Sequence, residues 1–432
     1  MMAVFSSYAR FWPQITFLDV SQRMALGLVA CVLGAPAQAA TDPFDLLWQH
    51  APAALLDQRL PVPTPIPEGY TTRSAWQVRA EGSAYAASKV LNVVGAEASL
   101  PRLVATQPTE HGILTTRAIL SASFSGWEAS LSYRQLYSAS VRDGALQIIR
   151  AYTAPEILPE AKSIVFDTQL KLLDFSGLGI ARSWPVVLDE RSGKIIFTAG
   201  TRLQTIRRFA SFQASGNLLR TRDTYEFDGS GELRDSRRRF EGYGEPGTQG
   251  ESFGLDMGFA WFPNGRSSLY LSVVDAWSSA RIPEVAAQTA ALRSDTRIVN
   301  DQGFLISQPL VEGRYSAESL RFKLPPVHTV AITSVWTIPS GGSNAPHQPA
   351  GLAITAGFRA QRTGAVTLYS TWASTPISGS CHAVAEAEFT FDSRGVGLSC
   401  HWGQLMLRSS SVSLPNARSL GLSLAFHHRV GF

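Results

Sequence analysis

The sequence predicts an all-β chain of many strands, and three observations carry that expectation. The first is period-two alternation from about residue 113 onward. In 127–133, Trp127, Ala129, Leu131 and Tyr133 fall on one face, and Glu128, Ser130 and Ser132 on the other. Phe253, Leu255, Met257, Phe259 and Trp261 likewise oppose Gly254, Asp256, Gly258 and Ala260. Pro263-Asn264-Gly265 then turns the chain into Leu269, Leu271 and Val273. Looser alternation recurs at 164–172, 195–203, 328–336, 352–358 and 383–391. The second observation is a low charge content: 17% of 432 residues, against about 25% in soluble domains. That excludes intrinsic disorder and a charge-laced coiled coil. The third is the last strand. Leu420, Leu422, Leu424, Phe426, Val430 and Phe432 share one face, interrupted by His428, against Ser419, Gly421, Ser423, Ala425, His427, Arg429 and Gly431.

The chain opens differently. Arg10 and Arg23 precede an apolar run from Met24 to Ala35, and Ala37-Gln38-Ala39 supplies small residues for cleavage. Residues 1–39 therefore read as a signal peptide removed on export. Leu28-Val29-Ala30-Cys31 offers a second reading, a lipobox that would place a lipid on Cys31. Residues 40–112 read as an N-terminal periplasmic or plug segment. A short helix is expected at 45–58, a stiff linker at Pro61 to Pro67, and possible helix at 80–94. No other stretch reaches the 18 or so apolar residues of a spanning helix.

The net charge is only +4, from 38 Lys and Arg against 34 Asp and Glu. Lysine occurs at Lys89, Lys162, Lys171, Lys194 and Lys323, so the basicity is nearly all arginine. A balance this small on a chain this long does not suggest a nucleic-acid partner.

The amphipathic final strand, closing on Phe432, resembles the targeting signal of Gram-negative outer-membrane β-barrels. The resemblance implies recognition by the barrel-assembly machinery, residence in the outer membrane, and contact with membrane lipids and lipopolysaccharide. Alternation alone also fits a secreted β-sandwich. Three features favour a barrel over 113–432. The chain ends inside a strand. Charge gathers between strands, most visibly in 234–241. Tryptophans stand at strand ends, as an interfacial girdle requires: Trp127, Trp184, Trp261, Trp277, Trp336, Trp372 and Trp402. The strand count is 12 to 18, with about 14 expected. An even number would put both termini in the periplasm.

Phase switches locate further features. Val396, Leu398, Cys400 and Trp402 are in one phase and Leu405 and Leu407 in the other, so a turn or bulge is expected near Gly403-Gln404. Residues 281–318 lack clean alternation and read as a long loop with a short helix near 285–292. A chain with residues ahead of its barrel is also broadly similar, in architecture, to fatty-acid-transporter-type barrels, whose N-terminal part plugs the lumen. That family's Asn-Pro-Ala-Gly run is missing near the start; Pro349-Ala350-Gly351 stands far too late to replace it.

Little in the sequence points to chemistry. Cys381-His382 and Cys400-His401 lack the spacing of a zinc knuckle, and neighbours on a strand point to opposite faces. If 392–395 closes a two-residue hairpin, Cys400 lies opposite Ala387, too far from Cys381 for a disulfide unless 378–380 folds back. His427 and His428 read as one lumenal and one interfacial residue. Asp256, Glu386, Glu388 and Arg429 are candidate lumen-lining residues. Arg207, Arg208, Arg220, Arg222, Arg234 and 237–239 form the one basic cluster; its arginines are expected to pair with Asp223, Glu226, Asp228, Glu232 and Asp235. No cofactor, metal or catalytic group is expected, and the chain does not read as an enzyme. The leading expectation is a channel or transporter for small or hydrophobic solutes. The alternatives are a structural component of a secretion, conjugation or polysaccharide-export assembly, with envelope partner proteins, or a lipid-anchored or soluble periplasmic β-protein.

Overall fold

The computed structural model describes residues 75–88 and most of 109–431, except 149–162, 188–192, 238–248, 300–304, 308–310, 339–349 and short stretches at turns. All described residues belong to the compact unit spanning 42–432. Among them the chain is almost entirely strand. The first eight strands are β1 (Ala75–Ser88), β2 (Thr109–Phe124), β3 (Trp127–Arg142), β4 (Ser163–Val187), β5 (Lys194–Thr221), β6 (Thr224–Asp235), β7 (Gly250–Asn264) and β8 (Ser267–Arg293). A small hairpin follows, β9 (Arg297–Val299) and β10 (Leu305–Ser307). Then come β11 (Val311–Phe322), β12 (Val327–Ile338), β13 (Ala350–Gln361), β14 (Val366–Ser378), β15 (Cys381–Glu388), β16 (Ser393–Cys400), β17 (Gly403–Ser409) and β18 (Ser419–Gly431).

Every pairing is antiparallel, and the pairings return on themselves. From β1 the hydrogen bonds run through β2, β3, β4, β5 and β7 to β8, then through β12 and on, strand by strand, to β18. Strand β18 pairs with β1, Ala75 opposite Gly431 and Ala87 opposite Ser419. The ring therefore holds fourteen strands and leaves no edge in its wall, which removes the unpaired backbone groups an open sheet would expose. Strands β6 and β11 continue the lines of β7 and β12: β6 pairs the later half of β5 and of β8, and β11 pairs the later half of β8. The strands β4, β5 and β8 are 25, 28 and 27 residues long. They project past the rest of the wall, away from the rim where β1 begins and β18 ends.

The two faces of this wall reverse the usual order of a soluble protein. Large apolar side chains point out and stay exposed: Leu131, Leu178, Ile180, Met257, Ile332, Val396, Leu407, and Leu203 at 64%. Polar and charged side chains point in and are buried, among them Glu81, Ser121, Glu128, Arg134, Thr198, Gln204, Asp256 and Arg408. The outward apolar band on β4 runs from Trp184 to Ser176 and stops at Asp174. That is about ten residues, the length a tilted strand needs to cross a bilayer core. Phe197 to Arg207 on β5 and Trp261 to Glu251 on β7 mark the same span. At its far edge Arg207 donates from Nε to the Ser176 hydroxyl at 2.8 Å, and Arg208 pairs with Asp235 at 3.5 Å.

Several sequence expectations need correction. The barrel does not begin at 113: β1 and β2 already belong to it, and 80–88 is strand, not helix. Residues 285–292 are also strand, because β8 is hydrogen-bonded on both flanks there, to β6 and β11. The β15–β16 hairpin turns at 389–392, since Glu388 faces Ser393, and this places Cys400 opposite Cys381 instead of Ala387. Where a turn or bulge was expected near Gly403-Gln404, Gly403 already begins β17, opposite Cys400. The signal peptide, residues 40–74, the proposed helix at 45–58 and Phe432 lie outside the described residues.

Candidate functional site: a buried ionic network beside an apolar cluster

Inside the wall, the inward faces of β3, β5, β7 and β8 converge on one ionic network. The centre is Asp275. It sits where β8 carries extra residues relative to β7: Leu255 pairs Trp277 and Met257 pairs Val273, leaving Asp256 alone opposite 274–276. This bulge gives Asp275 a φ of 56°, a left-handed conformation that Asp tolerates better than most residues. The bend turns its carboxylate into the interior, where only 1% of the residue is exposed.

Two arginines meet that carboxylate. Arg134 of β3 donates from Nη1 to Oδ2 at 3.1 Å, and Arg202 of β5 from Nη2 to Oδ1 at 2.8 Å. Arg202 also pairs through Nε with Asp256 at 2.7 Å. The backbone N–H of Asp275 donates to Asp256 Oδ1 at 2.9 Å, tying the two acids into one unit. Gly254 makes room for this: a Cβ there would lie 2.8 Å from Asp275 Oδ1. The network joins β3 and β5, on opposite flanks of β4, to β7 and β8, and the Asp275 carboxylate at its centre has no solvent exposure. Charges this buried persist only when paired and hydrogen-bonded. Further along the interior, Arg79 pairs with Glu81 at 2.6 Å, and the Arg408 guanidinium lies 5.9 Å from the Tyr85 ring centre.

Toward the projecting end, the same inner face turns apolar. Phe175, Ile206, Phe209, Ile282, Val285 and Leu324 form a buried cluster, with Leu136, Leu173, Leu320 and Phe322 packed against it. Phe209 and Phe322 hold their ring centres 5.6 Å apart. Ser278 locks this side to the β11–β12 junction, its hydroxyl bonding both the N–H and the C=O of Leu324 at 2.8 and 3.1 Å. Beyond the cluster lies a polar groove of ≈ 520 Å³, lined by Gln213, Ser230, Glu232, Thr289, Glu312 and Arg314. Arg234 bridges Glu232 and Glu318 there, at 2.7 Å each.

The structure brings together only part of what the sequence singled out. Asp256 is in the network. Glu386, Glu388 and Arg429 share the inward register face, paired with Gly395, Ser393 and Gln77, but on strands away from it. Arg134, Arg202 and Asp275 were not singled out: Arg134 follows Glu128, Ser130 and Ser132 on an ordinary polar face, while Asp275 follows Leu269, Leu271 and Val273 on an apolar one, where the bulge reverses its direction. Trp127, Trp184 and Trp261 are exposed at the rim where β1 begins and β18 ends, together with Trp76. Trp76 stacks on Phe124 at 4.9 Å, and Arg182 lies 4.9 Å from the Trp127 ring. Trp277 is exposed but stands mid-strand, edge-on to Phe253. Trp336 and Trp372 lie on β12 and β14; Trp402 lies outside the described residues. In β18, Leu420, Leu422, Leu424 and Phe426 fall on the outward face, and Val430 shares their register. Among the described residues, no three His, Cys, Asp or Glu side chains gather as metal ligands would.

No family model and no curated relative matches the chain. Among solved structures, the TodX deltaS2S3 mutant monoaromatic hydrocarbon channel is similar at 8% identity and a TM-score of 0.37, over 84% of this chain and 92% of that one. The Ralstonia pickettii toluene transporter TbuX gives 8%, 0.34, 88% and 94%. The translocator domain of the autotransporter NalP from Neisseria meningitidis gives 10%, 0.25, 91% and 100%. At such low TM-scores, the fold rests on the strand pairings and on the reversed polarity of the two faces.

Proposed function

We propose that the chain is an outer-membrane β-barrel that passes small hydrophobic solutes through its interior. One observation carries this reading: an apolar cluster inside a membrane-type wall, next to a buried ionic network. A water-filled general pore has a polar lumen; here Phe175, Phe209, Ile282 and Phe322 pack into a buried apolar cluster, which an apolar solute would enter by parting these side chains. The network then acts as a charged boundary on the inner wall, because Asp275 is held between Arg134 and Arg202 next to the apolar cluster. Short connections at the rim of β1 and β18, as at 125–126, 265–266 and 379–380, support a periplasmic position for that rim. Phe432 and the outward face of β18 would serve assembly, the rim tryptophans would sit at the lipid headgroups, and the far edge would meet lipopolysaccharide.

The test is uptake into vesicles holding the purified barrel. Toluene-sized aromatic solutes should enter faster than into empty vesicles, while sugars of similar size should not. Equal, large ion and sugar currents would replace this reading with an open porin. The projecting strands and their polar groove favour a second reading, a docking surface for an envelope assembly; stable co-purification with a partner and no solute flux would support that instead. Gel mobility with and without boiling checks the barrel itself, the unboiled form migrating faster.

A further inference from the structure

Cys381 and Cys400 stand directly opposite each other in the β15–β16 pairing. Each also closes a two-residue connection on its other side. Ser378 faces Cys381 across 379–380, and Cys400 faces Gly403 across 401–402. A two-residue hairpin is closed by a pair that exchanges both N–H···O=C bonds. In an antiparallel strand, the N–H and C=O of one residue point to the same side. Cys400 therefore directs both groups at β17, where the register is unbroken, and so makes no backbone bond to Cys381; on the other side β14 shifts register between Pro376 and Ser378. Toward each other the two cysteines form a non-hydrogen-bonded pair, whose Cα atoms approach to about 4.5 Å. That is within the range of about 4.4–6.8 Å that a disulfide requires.

From this register we infer that Cys381 and Cys400 form a cross-strand disulfide in the exported protein. The bond staples the hairpin at the rim where β1 begins and β18 ends. It rests on the exported-barrel reading, because only an oxidising compartment lets such a bond persist. Its formation removes two electrons and two protons from the thiols. A protein disulfide of the envelope accepts them. One cysteine thiolate attacks a donor sulfur and expels the other donor sulfur as a thiolate. The second cysteine then attacks the mixed disulfide, forming the Cys381–Cys400 bond and releasing the donor as a dithiol.

Trypsin cleaves after Arg362, Arg394 and Arg408, so it separates the two cysteines. Peptides 363–394 and 395–408 stay joined only through the disulfide. In protein extracted from envelope membranes and alkylated before digestion, the joined pair should dominate and split on reduction. Reduction should also lower, by several degrees, the temperature at which the fast unboiled band converts to the slow one. In Cys400→Ser, peptide 363–394 should appear alone with Cys381 alkylated. Two separate peptides, each alkylated without reductant, would overturn the proposal. Gel mobility of the same sample reports on the barrel independently, so failure of either reading is seen by itself.

Discussion

The long-strand wall and the short-strand wall solve the same membrane problem with different surpluses. Strands β15, β16 and β17 are 8, 8 and 7 residues long. Their outward side chains include Val396, Leu398, Leu405 and Leu407, all exposed, and their inward positions include Gly397, Met406 and Arg408. Strands β4, β5 and β8 carry a similar outward band and then continue for another ten or more residues. Those strands, with β3 and β7, supply the ionic network and most of the apolar cluster. The difference teaches that, among the described residues, the outward face is apolar on both walls, whereas the ionic network and the apolar cluster lie on the long-strand side. A wall that merely closed the ring would have no need of a buried Asp275 or an inward Phe175.

The largest test of that asymmetry is Asp275→Ala. It leaves Arg134 and part of Arg202 without a carboxylate in a buried site, a loss of about 3–5 kcal/mol. The urea midpoint for loss of the fast unboiled band should fall accordingly, and ion conductance in planar bilayers should rise above that of the parent. Ser423→Ala, at a buried inward position beside the short wall, should cost only about 1 kcal/mol and leave conductance unchanged. Equal effects would mean that the interior is not specialised.

The outward face should behave in the opposite way, alike on both walls. Leu178→Arg and Val396→Arg each place a charge in the apolar band and should cost about 2–4 kcal/mol. Leu170→Arg, on the same face of β4 but beyond Asp174, should cost about 1 kcal/mol or less. A full penalty at Leu170 would move the band edge outward and shorten the projecting part. Gly254→Ala returns to the interior with a smaller effect. Its Cβ would crowd Asp275 Oδ1, and about 1–3 kcal/mol is expected, with conductance shifted the same way as in Asp275→Ala.

Strand character was legible wherever large apolar and small polar residues alternate, as in Trp127 to Tyr133 and Leu420 to Phe426. It was illegible where the outward residues are small. Ala80, Gly82, Ala84 and Ala86 alternate with Glu81, Ser83 and Tyr85, but alanine is also the best helix former, so β1 read as helix. Val285 to Leu292 misled in the same way, and pairing on both flanks overrode the propensity. Register was harder still. Sliding β16 along β15 by an even number of residues keeps every side chain on its face, so alternation could not distinguish Ala387 from Cys381 as the partner of Cys400. Asp275 escaped because a bulge breaks the period that would have assigned its face. Asp256 stands in an unbroken run, so the alternation alone gives it a face opposite Leu255 and Met257.

The rim tryptophans give the smallest and most local comparison. Trp127 is exposed on the long-wall side, with the Arg182 guanidinium 4.9 Å from its ring and the same guanidinium 5.5 Å from Trp184. An arginine held between two rings at the edge of an apolar band keeps its charge at headgroup depth while its stem covers apolar surface. Trp127→Ala removes one of the two rings, and the cation–π share of the loss is about 0.5–1 kcal/mol. Trp127→Phe retains a ring and should recover most of it. If the residue instead anchors the rim through its indole N–H at the headgroups, Phe would rescue little, and both variants would show the same fall in urea midpoint. Arg182→Ala separates the two cases: it should lower the midpoint in the parent but add little to Trp127→Ala if the ring–guanidinium contact is what stabilises this rim.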